Sequence, residues 1–148
     1  MPLYEHRQVS PWMLIPVAIY IAFVVWLVGV GHAPYSLAVL WIVLLVVMFA
    51  FIALSTRVDA NAVSWSFTFG TPRGTIPVAD IADAQVIKTA IWEGFGIHWT
   101  FTHGWLWNVW GFSAVMIRKR SGGIVTLGTD DAQGLFDAIV RARQGAQT

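Results

Sequence analysis

His98 and His103 are the nearest pair of imidazoles in the chain, and Asp83 and Glu93 are the carboxylates that could join them around a metal. A structural zinc site takes four converging ligands. In the strand pattern set out below, His98 faces outward and His103 sits in a turn, so the four do not converge and no metal is expected. Asp130 and Asp131 adjoin like a carboxylate pair for acid–base work, yet they stand where a helix begins, and capping accounts for them. Gly94-Phe95-Gly96 lacks the third glycine and the strand-to-helix turn of a dinucleotide site. The chain has no Cys, no Gly-x-Ser-x-Gly and no phosphate loop. No catalytic or cofactor-binding residue is assigned, no cofactor is expected, and the chain reads as a non-enzyme.

Two other groups carry surface chemistry. Trp92, Trp99, Trp105, Trp107 and Trp110 crowd one segment, and Arg118-Lys119-Arg120 is a compact basic triplet. By strand parity Trp99 is core, Trp105 and Trp107 share one face, and Leu106 and Trp110 lie on the other. Two readings stay open for this segment. It is core and barrel floor, or Trp105, Leu106, Trp107 and Trp110 form a contact with a partner or a lipid interface, with Arg118, Lys119 and Arg120 beside it. The net charge of +1 offers no basic stripe for nucleic acid.

The elements that must position these residues divide at Arg57. The composition is 57% apolar and 11% charged, against roughly 45–50% and about 25% in ordinary soluble domains. No Lys or Arg lies between Arg7 and Arg57. That interval holds two apolar runs, Pro11–Val30 and Tyr35–Leu54, split by Gly31-His32-Ala33-Pro34. Each is about as long as a helix crossing a ~30 Å hydrocarbon core needs, and neither shows a polar stripe. His32 reads as a solvated loop histidine. The distribution of Lys and Arg places both termini in the cytoplasm, with Trp12, Tyr35 and Trp41 as interfacial anchors. The expected segments are therefore a cytoplasmic stretch 1–10, transmembrane helices 11–31 and 35–55 joined by 32–34, and a cytoplasmic domain 56–148 at the bacterial inner membrane.

Beyond Arg57 the period is two. Val63, Trp65, Phe67 and Phe69 alternate with Ser64, Ser66 and Thr68; Phe95, Ile97, Trp99 and Phe101 alternate with Gly94, Gly96, His98 and Thr100. Such alternation predicts half-buried antiparallel strands. About seven of them precede a helix that starts at Asp130, with Gln133 reaching back as in a capping box. Leu135, Phe136, Ile139 and Val140 form its apolar stripe.

The stretches Gly94–His98, Trp107–Val115, Gly123–Val125 and Gly128-Thr129-Asp130-Asp131 resemble the bacterial pleckstrin-homology-like domain family in its membrane-anchored two-span form. The likeness covers roughly residues 55–143. Where that family commonly carries Arg after Gly-x-Gly-Ile, this chain has His98. The resemblance implies a membrane-anchored α+β chain: an N-terminal transmembrane helical hairpin, then a seven-stranded antiparallel bent sheet or barrel capped by a C-terminal helix. It also implies a scaffolding or protein-binding role. Relatives of the fold bind inositol-phosphate lipids through basic residues in the first strand-to-strand loop. The matching loop, Asp59–Ala62, has no Lys or Arg, so specific phosphoinositide binding is not expected. The expected partners are the lipid bilayer and a membrane protein or larger complex, and two functions follow. One is a membrane-tethered docking module. The other is an accessory subunit on the rim of a respiratory, photosynthetic or transport complex.

Overall fold

The computed structural model describes residues 1–11, 14–31, 38–90 and 96–146. The chain opens with a strand, β1 (Tyr4–Val9), then two helices, α1 (Leu14–Gly29) and α2 (Ala38–Ala50). Eight strands follow: β2 (Ala53–Val58), β3 (Ala62–Phe67), β4 (Arg73–Pro77), β5 (Ile81–Lys88), β6 (Gly96–Thr100), β7 (Gly104–Asn108), β8 (Ser113–Lys119) and β9 (Ile124–Gly128). Helix α3 (Ala132–Gly145) closes the order.

The expected transmembrane hairpin is overturned. Helix α1 has 16 residues and α2 has 13, which at 1.5 Å per residue gives roughly 24 and 20 Å, short of a ~30 Å core. Among the described residues no helix is long and apolar enough to cross a membrane. The assignment to the bacterial inner membrane as a two-span protein with cytoplasmic termini falls with it. The physical reason lies at the ends of the runs. Gly31 takes φ +67° and stops α1. Beyond Ala50 the second run leaves the helix, and Ala53-Leu54 enter β2, because strands on both sides offer them backbone partners. An apolar run reads alike whether it ends as helix or as central strand.

The second departure is β1. The first ten residues were expected to be a separate segment; instead Tyr4–Val9 pairs antiparallel with β2, from Tyr4 opposite Val58 to Val9 opposite Ala53. The first sheet is therefore β1-β2-β3-β4, and the second is β5-β8-β9-β7-β6. Among the described residues, nine strands in two sheets replace the expected seven in one bent sheet, and β7 runs parallel to β9.

The helices α1 and α2 form an arm inserted between two neighbouring strands. Its base is laced by Ser10 N–H to Ile52 O (2.8 Å), Thr68 N–H to Ala50 O (3.2 Å) and Ala53 N–H to the Thr68 hydroxyl (3.0 Å). Within the arm, the Tyr20 hydroxyl donates to Trp41 O at 2.9 Å.

The core lies between the sheets and under α3. Leu54, Val58, Val63, Phe67 and Ile76 come from the first sheet, Val115, Ile117 and Leu127 from the second, and Leu135 and Ile139 from α3. The expected alternation of Val63, Trp65 and Phe67 is present as buried positions, whereas Phe69 lies past the strand end and is exposed.

Helix α3 begins one residue later than expected. Asp131 is the N-cap, accepting from Gly134 N–H at 3.0 Å. Asp130 pairs with the imidazole of His6 on β1, and the Gln133 amide donates to Asp137 instead of reaching back. Gly134 suits the cap because a Cβ there would meet the Asp131 carboxylate at 2.3 Å. Asp131→Ala should lower the unfolding free energy by ~1 kcal/mol, the usual worth of a cap. Asp130→Ala should cost less, since it breaks only an exposed ion pair. Urea denaturation of the two variants checks this; equal losses would contradict the assignment of the cap.

Candidate functional site

Two surfaces stand out, the arm and the tryptophan face of β6 and β7. The arm is apolar on every side. Ile19, Phe23, Val25 and Trp26 of α1 and Leu40, Ile42, Val43 and Val46 of α2 are all about half exposed or more. Val17 is the buried exception. A surface helix normally carries a polar stripe, and a helix that is apolar all round belongs in the interior of something. Contiguous exposed apolar area on this scale marks an interaction site. Trp41, an expected interfacial anchor, is half-buried on α2. The other two, Trp12 and Tyr35, fall outside the described residues, as does His32.

The arm meets the sheets at its foot. Val47, Met48 and Phe51 face Ile97, Asn108 and Val109 across a shallow apolar cleft. Asn108, buried, organises the turn that follows β7: its amide donates to Gly111 O at 3.1 Å and its oxygen accepts from Trp110 N–H at 3.1 Å. Gly128 makes room for it, since a Cβ there would lie 2.2 Å from the Asn108 oxygen. The Trp107–Phe112 motif is thus structural.

On β6 and β7 the alternation is as expected but its consequences are not. Ile97 and Trp99 face the same side as their partners Trp107 and Trp105. Trp107 packs at 5.5 Å on Trp65 and at 6.0 Å on Phe67, so this is the core-facing side. Toward the β6–β7 turn the face outruns the core. Trp99 is 52% exposed, Trp105 51% and Phe101 94%. Trp99, expected in the core, instead stacks edge-on with Phe101 at 4.6 Å on the surface. The opposite side is buried along β7. Leu106, a candidate for contact, is fully buried, and His98, expected to face outward, has a buried Nε2 with no partner among the described residues. Trp110 is partly buried against the core, and its carbonyl accepts from the Gln8 amide at 2.7 Å. Of the four residues proposed for contact, Trp105 is the one standing well out of the surface.

The basic triplet ends the β8–β9 hairpin. Arg118 and Arg120 are exposed and Lys119 is half-buried. Asp80 holds the tip. It accepts from the Ser121 hydroxyl at 2.7 Å and from Ser121 N–H at 2.8 Å, while its carbonyl accepts from Arg120 N–H at 2.6 Å. The Ser121 hydroxyl and then its N–H hold the Asp80 carboxyl below its ordinary pKa, with Lys119 and Arg120 adding attraction.

No protein-family model, curated protein or solved structure matches this chain. What the two surfaces do is a question for their geometry.

Because the folded-state pKa of Asp80 is depressed, the unfolded chain takes up this proton more readily. The stabilisation is complete above the ordinary carboxylate range and disappears as pH falls through the folded value. The Ser121→Ala variant should be less stable than wild type at neutral pH, and the gap should close in strong acid. Urea midpoints measured across that range give the test; a gap independent of pH would show that Ser121 acts without Asp80.

Proposed function

We propose that this protein is a non-enzymatic docking module whose docking element is the helical arm. The observation that carries the reading is the arm's apolar surface on all sides, set on a domain that already has its own core. Burying one Val, Leu, Ile or Phe side chain is worth about 1.5–3 kcal/mol, so a partner that receives the arm gains a large non-directional stabilisation. The same all-round character favours the second reading, a small accessory subunit seated in a larger protein assembly. A helix that uses one groove needs one apolar face; this arm presents several.

Val25→Glu combined with Ile42→Glu places charges at two of the arm's most exposed positions. From source cells in mild detergent, the wild-type chain should run in a stoichiometric complex on size exclusion and the double variant as a free chain. Thermal unfolding of the sheets should shift little, since exposed substitutions usually stay within about 0.5 kcal/mol. A wild-type chain that runs alone would overturn the docking reading, and one that floats with protein-free lipid vesicles would overturn the assignment to a protein partner.

A further inference from the structure

Strand β4 ends the first sheet and β6 ends the second, and the two do not pair. One edge of β4 is therefore free. Phe67 N–H bonds to Pro72 O at 3.0 Å and Val78 N–H to Asn61 O at 2.8 Å, with Trp65 opposite Gly74 and Val63 opposite Ile76 between them. The alternation of an antiparallel ladder then turns the backbone groups of Gly74 and Ile76 toward β3 and those of Arg73 and Thr75 away from it. Among the described residues the N–H and C=O of Arg73 and Thr75 have no backbone partner. Both residues are exposed, as is Pro77. Pro77 has no N–H to offer, so the open stretch is short and ends at its carbonyl.

An unpaired edge is a template for another strand, and the two faces of β4 fix what that strand should carry. The inward face borders a cleft of about 330 Å³ lined by Trp65, Ile76, Ile97, Trp105, Trp107 and Val125. The ring of Trp65 lies over Gly74, which makes room for it by lacking a Cβ. A side chain opposite Gly74 thus comes down beside indole carbons, with the half-exposed Trp105 flanking it. Lys119, which also lines the cleft, is drawn to the Asp80 carboxylate. The outward face is polar, a cavity of about 560 Å³ whose lining includes Ser64, Ser66, Arg73 and Thr75. Arg57 in that lining is taken by Asp59, and Glu5 is three strands away on β1. Arg73 has no carboxylate partner among the described residues. No residue of the arm lines either cavity.

We propose that the free edge of β4 receives an extended peptide segment of a partner protein as an added strand, its residue opposite Gly74 a large apolar one seated in the tryptophan cleft and the residues on either side acidic, beside Arg73 and Thr75. Main-chain bonds to Arg73 and Thr75 supply affinity, and the alternate side chains supply specificity.

The probe is the end-capped, fluorescein-labelled peptide Ser-Glu-Leu-Glu-Phe-Glu-Ser, titrated into the full-length protein in mild detergent and read by anisotropy. One saturable site is expected. At saturation the amides of Arg73 and Thr75 should exchange hydrogen about tenfold more slowly, and those of Gly74 and Ile76, already turned to β3, should change less. Thr75→Pro removes an outward N–H that an edge strand can do without, and should raise Kd about tenfold; Thr75→Ser should leave it unchanged. Arg73→Gln should raise Kd about threefold, and should bind a peptide with Gln in place of Glu as well as the acidic one. Trp105→Ala should raise it about fivefold. The Val25→Glu, Ile42→Glu double variant should bind as wild type does, so that failure here and failure of the arm as a docking element are read separately. No saturable binding at millimolar peptide, or unchanged exchange at Arg73 and Thr75 in the wild-type chain, would overturn the proposal whether or not Thr75→Pro folds. Protection of those two amides without peptide, rising with protein concentration, would give the edge to a second copy of the chain instead.

Discussion

The pairing of β1 with β2 is the constraint on which the architecture rests. Val9 opposite Ala53, with Ser10 bonded to Ile52 just beyond, brings both feet of the arm to adjacent strands of one sheet. Neighbouring strands lie about 5 Å apart, so the two helices must leave side by side and return side by side. The same strand ties the start of the chain to its end. His6 pairs with Asp130, and the Tyr4 hydroxyl lies 3.4 Å from the carbonyl of Asp131, the cap of α3. Burial first, and then the Asp131 charge, pushes the Tyr4 phenol pKa upward. Without β1, β2 would be an open edge and the cap of α3 would lose its neighbours.

Local periodicity carried much of the sheet structure, and long-range pairing carried what periodicity missed. Val63-x-Trp65-x-Phe67 reads as a half-buried strand from sequence because one face alternates with serines, and it is one. Tyr4–Val9 has its own two-residue rhythm, with Glu5, Arg7 and Val9 outward, but it directly precedes the long apolar interval and in sequence reads as its polar flank. The arm shows the opposite failure. Uninterrupted apolar composition gives the length of a run and not where helix yields to strand, which here is decided by β1 and β3 lying on either side of β2. Trp99 and Leu106 show a third limit. Parity sorts residues into two faces, yet what covers each face depends on how far the other sheet extends. The Asp130–Asp131 pair shows a last one, since spacing alone cannot tell which of two adjacent carboxylates caps a helix.

The two candidate surfaces work by different physics. The arm offers area without direction: almost no polar atom, no charge, and no preferred face. On the docking reading proposed above, its recognition is permissive, and specificity has to come from the shape of whatever receives it. The tryptophan face of β6 and β7 offers a smaller apolar area made of the exposed rings of Trp99, Phe101 and Trp105.

The placement of the arm also sets an order of events during synthesis. β1 is made before β2 and has no partner in its sheet until β2 follows, roughly forty residues later. Closing a loop of that length costs entropy that grows only slowly with length, so the delay is a matter of sequence and not of a prohibitive barrier. In the interval the most apolar part of the chain is exposed while its base is still unlaced. Among the described strands this pairing is the first to become available, complete once Val58 is made, and the arm has to be kept from other company until it forms.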